Sequence, residues 1–147
     1  MSFVLSQRSK DRLKGVHPDL VSVVELAIQI SPVDFSVIEG VRTLEKQREY
    51  FNAGKSMTMN SRHLAKVPRH HESLGAVSHA VDLAPYLDTD GDGDKELSWS
   101  MNDFFPLAQA MKSAASTLKI PIVWGGDWKT FADAPHFELS TAHYPSK

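Results

Sequence analysis

Three short stretches hold side chains that could bind a metal or move a proton. They are Asn60-Ser61-Arg62-His63, His79-Ala80-Val81-Asp82-Leu83 and Asp133-Ala134-Pro135-His136-Phe137-Glu138. In a strand, side chains alternate between faces. Asp82 would share a face with Ala80 and Ala84, while His79, Val81 and Leu83 take the other. Asp82 thus lies in an apolar run, where a carboxylate is costly unless it is paired or ligates a metal. Spacing alone leaves both open. His136 begins another apolar run, three positions after Asp133. Imidazole and carboxylate are common zinc ligands, and an acidic group beside the metal can act as general base. An ordinary half-buried histidine fits the same spacing. His79 is expected to be a hydrogen-bonded core residue, and His17 and His143 show no partner in the sequence.

A second group of carboxylates, Asp88, Asp90, Asp92 and Asp94, alternates with small residues and runs on to Glu96. Oxygen ligands at positions 1, 3 and 5, a glycine at 6 and acids at 7 and 9 match the front of a calcium loop. Position 12, where a bidentate glutamate belongs, holds Trp99. The segment therefore reads either as an irregular calcium site or as an exposed acidic turn.

Elements must bring these stretches together. Pro18 and Asp19 suit a helix start, and Leu20, Val23, Val24, Ala27 and Ile28 follow at helical spacing. Ser31-Pro32 stops that helix. Residues 34–39 read as a strand and 43 to about 52 as a helix, capped by Thr43 and ended near Gly54. Residues 55–78 are polar and irregular, and a loop this long in a compact domain is usually functional or disordered. A buried strand is expected over 79–84, stopped by Pro85. A third helix over 102–118 would align Phe105, Ala108, Met111, Ala115 and Leu118. Strands are expected over 121–124 and 136–139. This order defines an α+β fold with a small antiparallel sheet and flanking helices.

Composition narrows the function class. The chain has 147 residues, 41% apolar and 23% charged, with a formal charge of −2. That suits one folded domain and supplies no basic field for nucleic acid. There is no cysteine, which removes disulfides, thiolate metal sites and a thiol nucleophile. No apolar run approaches the ~20 residues of a membrane span. The N-terminus lacks the apolar stretch of a secretory signal. A basic cluster, Arg8, Lys10, Arg12 and Lys14, suits a solvated face or contact with an anionic wall polymer.

Several ordered motifs together carry a more specific resemblance. The three stretches above, with Trp124-Gly125-Gly126-Asp127-Trp128, Glu39-Gly40-Val41-Arg42-Thr43 and Gly15-Val16-His17-Pro18-Asp19-Leu20, resemble the VanY-like zinc peptidases. That group includes D-alanyl-D-alanine carboxypeptidases and shares its fold with the hedgehog signalling domain. The likeness is nearest to single-domain phage endolysins that cut the L-alanyl-D-glutamate bond of peptidoglycan. It runs over nearly the whole chain.

Carried over position by position, the resemblance makes His63, Asp82 and His136 the zinc ligands and Asp133 the catalytic acid–base group. Arg42 matches an arginine that contacts substrate and stabilises developing negative charge. Ser61 is a further expected substrate contact. Trp124, Trp128 and Phe131, close in sequence to Asp133 and His136, would either line a substrate cleft or divide, with Trp124 in the core and only Trp128 near the surface. In the phage relatives a much shorter link joins the first two ligands, so residues 65–78 look like a loop insertion. His70 and His71 within it are rival first ligands. The resemblance implies a protein made in the host cytoplasm that reaches peptidoglycan after holin-type release, and a monomer is the simplest expectation. Calcium regulation of some relatives adds interest to residues 88–96. The alternatives are a D-alanyl-D-alanine carboxypeptidase and a non-catalytic wall- or calcium-binding module.

Overall fold

The computed structural model describes residues 2–56 and 58–147; position 57, within the expected 55–78 loop, lies outside them. Nine helices and strands are named here. In chain order they are α1 (Gln7–Arg12), α2 (Pro18–Ile30), β1 (Phe35–Glu39), α3 (Leu44–Asn52) and β2 (Ala80–Leu87), then β3 (Glu96–Leu97), α4 (Met101–Leu118), β4 (Ile122–Trp124) and β5 (His136–Leu139). The sheet is antiparallel, in the order β1-β2-β5-β4, with β3 added to β2. The α+β expectation holds.

Strand alternation divides the chemistry from the core. Val81 and Leu83 of β2 and Phe137 and Leu139 of β5 are fully buried among Leu20, Val23 and Val24 of α2 and Phe104, Leu107 and Met111 of α4. Asp82, His136 and Glu138 occupy the intervening positions and so take the opposite face. Register then sets them side by side. Asp82 pairs with His136 across β2 and β5, and with Glu39 across β2 and β1, just after an irregularity between Val37 and Glu39. One row across three strands therefore carries Glu39, Asp82 and His136.

Local chemistry explains the helix ends. The Thr43 hydroxyl accepts the Lys46 N–H and caps α3. His17 caps α2, its Nδ1 accepting the Asp19 N–H at 3.1 Å. It is buried against His79 and Tyr144, so the histidine with no visible partner has a structural one.

Four expectations need correction. The helix α1 precedes the first expected helix; it spans six residues and depends on the Ser6 cap rather than on an apolar stripe. Pro85 does not end β2. The Pro85 carbonyl accepts the Ser98 N–H and the Tyr86 N–H reaches the Asp34 carbonyl, so the strand continues past the missing donor. In α4, Phe105 and Leu118 are exposed, and the buried face runs through Phe104, Leu107, Ala108, Met111 and Ala115. The helix meets both α2 and the sheet, which turns the stripe by about one position. Finally, Trp124 belongs to the core, as described below.

The 65–78 segment is tied at its base. Lys66 and Val77 exchange two backbone hydrogen bonds of 3.0 Å. The C-terminal residues brace it, with Arg69 N–H donating to Pro145 and Lys147 N–H to Val67.

Candidate metal centre and cleft

The segment carrying His63 is pinned on both sides. Arg42 N–H donates to the His63 carbonyl and His79 N–H to the Arg62 carbonyl, each at 2.9 Å. The Ser61 hydroxyl accepts the His63 N–H at 3.2 Å. These bonds hold His63 against β2, and its Nε2 lies 3.0 Å from Asp82 Oδ1. His136 Nδ1 is 3.2 Å from His63 Nε2 and 3.5 Å from Asp82 Oδ1. His63, Asp82 and His136 each offer one ligand atom, all within 4.8 Å of one another. His70 and His71 are exposed, in the loop outside this group.

The outer ring nitrogens explain why this set suits a cation. His63 Nδ1 is 2.9 Å from the Gly40 carbonyl, which can only accept, so that nitrogen carries a proton. His136 Nε2 lies 2.7 Å from Glu138 Oε1 and is committed in the same way. With one proton on each ring, both inner nitrogens direct lone pairs at each other and at the Asp82 carboxylate. A cation held among them would satisfy all three donors. Burial lowers the His136 pKa, but hydrogen bonds to Asp82 and Glu138 outweigh it and push it up to about 9. Burial likewise raises Asp82, yet hydrogen bonds from His136 and His63 hold it well below the usual carboxylate range. Two imidazoles and a carboxylate also form a donor set for zinc.

Two glycines allow the close approaches. A Cβ on Gly40 would run into the Arg12 carbonyl oxygen and Val16. A Cβ on Gly125 would strike the Asp133 carbonyl oxygen and crowd His136. Gly125 in turn accepts the Asp133 N–H at 2.9 Å, which holds the Asp133–His136 turn beside β4.

The group opens into a cleft of about 460 Å³. Arg42, Tyr50, Ser61, Trp128, Phe131 and Asp133 line it together with the three candidate ligands. The Asp133 pKa is raised by burial and by the Asp82 charge, against the opposing pull of His136, His63 and Arg42. Arg42 is fixed rather than free. It pairs with Glu39, donates to Gln47 Oε1 at 2.7 Å, lies 3.6 Å from Asp82 Oδ2 and sits over the Tyr50 ring at 4.7 Å. Phe131 reaches the cleft from the left-handed backbone region, with φ 52°.

The two tryptophans separate. Trp128 is 36% exposed and its ring centroid lies 5.2 Å from that of His136. Trp124 is 4% exposed, stacks on Phe137 and donates its indole N–H to the Ala134 carbonyl. It faces the core and does not line the cleft, because the next residues turn away in a short 3₁₀ segment (Gly125–Asp127).

In the acidic loop, Asp88, Asp90, Asp92 and Glu96 bring one oxygen each within 4.8 Å of one another. Glu96 takes the place expected of Asp94. All four lie outside the core, and Asp88 is occupied by the N–H groups of Gly91 and Gly93. Exposed carboxylates gather in this way without an ion.

The sequence reading missed Glu138 and Arg62. Glu138 follows His136 by two in a strand, which places both on one face, and that spacing was a usable signal. Gln47, which anchors Arg42 together with Glu39, had no comparable signal.

A largely buried His/Asp/His set lining an open cleft defines a candidate metal-dependent hydrolase site. The chain belongs to the phage L-alanyl-D-glutamate peptidase family, whose model matches residues 1–143. It is 26% identical to the L-alanyl-D-glutamate peptidase of Escherichia phage T5 over 145 residues, covering 98% of this chain and 94% of that protein. It is 26% identical over 111 residues to the peptidoglycan L-alanyl-D-glutamate endopeptidase CwlK of Bacillus subtilis. That match covers 73% of this chain and 61% of CwlK. The crystal structure of the L-Ala D-Glu endopeptidase ChiX of Serratia marcescens superposes with a TM-score of 0.80. The two share 39% identity, with 97% of this chain and 95% of ChiX covered.

Proposed function

We propose that this protein is a zinc-dependent peptidoglycan endopeptidase that cleaves the L-alanyl-D-glutamate bond of the stem peptide, acting as a phage endolysin. The observation that carries the reading is the convergence of His63, Asp82 and His136 inside a cleft that also holds Asp133. Family membership and the similarity to three proteins named for this bond supply the substrate.

His63, Asp82 and His136 would hold the metal. When bound there, zinc supplies a Lewis acid that polarises the scissile carbonyl and lowers the pKa of water. Asp133 takes the proton from the water that attacks the alanine carbonyl carbon. It returns that proton to the glutamate nitrogen as the C–N bond breaks. Burial suits this role, since it favours the protonated form that must deliver the proton. Arg42, held in place by Glu39 and Gln47, directs positive charge towards the developing oxyanion. Trp128 and Phe131 offer apolar surface for the peptide, and Ser61 offers a hydroxyl. Among the described residues no helix is long and apolar enough to cross a membrane. Synthesis in the host cytoplasm with holin-type release to the wall accords with an endolysin role.

Mass spectrometry of peptides released from purified Gram-negative peptidoglycan tests this reading, with chelator and zinc add-back as controls. The expected product is a stem peptide lacking L-alanine, lost on chelation and restored by zinc. Loss of terminal D-alanine alone would make the protein a carboxypeptidase. No zinc-dependent product would point to a binding module.

A further inference from the structure

We propose that Glu138, with Arg62 as its nearby counter-charge, is a positioning residue that fixes the His136 ring so that Nδ1 faces Asp82 and His63. This rests on the metal-site reading above. Three observations carry it. First, Glu138 and His136 share a face of β5, and Glu138 Oε1 lies 2.7 Å from His136 Nε2, on the side of the ring away from Asp82. Second, the Glu138 side chain is only 12% exposed and its second oxygen is 3.8 Å from Arg62 Nε. A buried carboxylate needs such compensation. Third, Arg62 is itself fixed from other directions. It donates to the Leu139 carbonyl at 3.2 Å, to the Tyr144 carbonyl at 2.8 Å and to Ser146 Oγ at 3.4 Å.

The comparison with His63 shows what Glu138 adds. His63 is oriented by a neutral backbone carbonyl, that of Gly40. His136 is oriented by a carboxylate, which makes the ring more electron-rich and a stronger donor to a cation. Arg62 also links the site to the C-terminal segment, pairing in charge with Glu138 and hydrogen-bonding Tyr144 and Ser146.

The test is zinc affinity of the purified protein, measured by competition with a chromophoric chelator, with circular dichroism of the metal-free forms as the folding control. Glu138→Ala should bind zinc about 10- to 100-fold more weakly than wild type, the range found when such outer partners are removed. Glu138→Gln keeps an acceptor for Nε2–H but not the charge, and should fall between the two. Wild-type affinity in Glu138→Ala would overturn the proposal. If that variant does not fold, nitrogen-15 NMR of zinc-loaded wild type decides instead. The proposal requires zinc on His136 Nδ1 with Nε2 protonated, and zinc on Nε2 overturns it. Failure of the wild-type protein to take up zinc would instead overturn the metallopeptidase reading.

Discussion

Asp82 and His136 stand directly opposite each other on β2 and β5, with His136 Nδ1 3.5 Å from Asp82 Oδ1. Cross-strand neighbours share a face, so the sheet itself sets the separation between these two groups. The third member, His63, is delivered by an irregular segment pinned at both sides. Replacing Asp82 by Asn should therefore abolish metal retention without rearranging the strands. Metal analysis after gel filtration should find less than about one hundredth of wild-type affinity, a loss at least as large as outer-partner removal gives. Circular dichroism should be unchanged.

Asp133 is expected to separate chemistry from metal binding. Asp133→Ala should lower the rate of peptide release by about 10²- to 10⁴-fold, the usual contribution of a general acid–base group. Zinc content should stay at the wild-type level. Parallel activity and metal assays check both halves.

The two tryptophans should behave in opposite ways. Trp124→Ala removes a core ring and should cost about 3–5 kcal/mol of stability. Trp128→Ala should raise KM and change the urea midpoint little, since the ring is partly exposed at the cleft. Urea unfolding and steady-state kinetics distinguish them.

Stability should fall on acidification through buried neutral histidines. Burial lowers the pKa of His79 to about 4, and that of His17 in the same direction. For His79 the unfolded chain binds the proton near pH 6.5, whereas the folded chain resists until about pH 4. The stabilisation is therefore complete above pH 6.5 and is lost between about 6.5 and 4. For His79 this amounts to roughly 3 kcal/mol. Urea unfolding of metal-free protein across that interval gives the slope, and NMR should show the His79 ring titrating near 4.

Arg42 joins stability to activity. Its fork holds Glu39 and Gln47, and all three lie inside the protein or at its edge. Arg42→Ala would strand the Glu39 carboxylate and should cost about 3 kcal/mol. Arg42→Lys keeps charge but not the fork, and should recover part of that stability with little of the activity. Paired unfolding and turnover measurements check this.

The strand chemistry was legible because alternation admits only one face for Asp82 and for His136. Motif order, not spacing, brought His63 to them across the long intervening loop. Trp124 stayed open between cleft and core because proximity in sequence to Asp133 says nothing about which way a side chain leaves the strand. The α4 stripe misled because aromatic residues stand at both 104 and 105, and only packing against two neighbours chooses between them. The helix α1 left no periodic signal in six residues. Glu138 was visible as the second residue after His136, but its meaning depends on which ring nitrogen is turned inward.

The paired base of the long loop has an evolutionary consequence. Lys66 and Val77 close on each other at the base and Arg69 is held by Pro145, so the stretch between Arg69 and Val77 is the part that can lengthen, shorten or change composition while the reacting groups keep their places. A lineage adapting to new hosts could gain an adhesive surface there without rebuilding its chemistry, and a protein engineer could graft one at the same point.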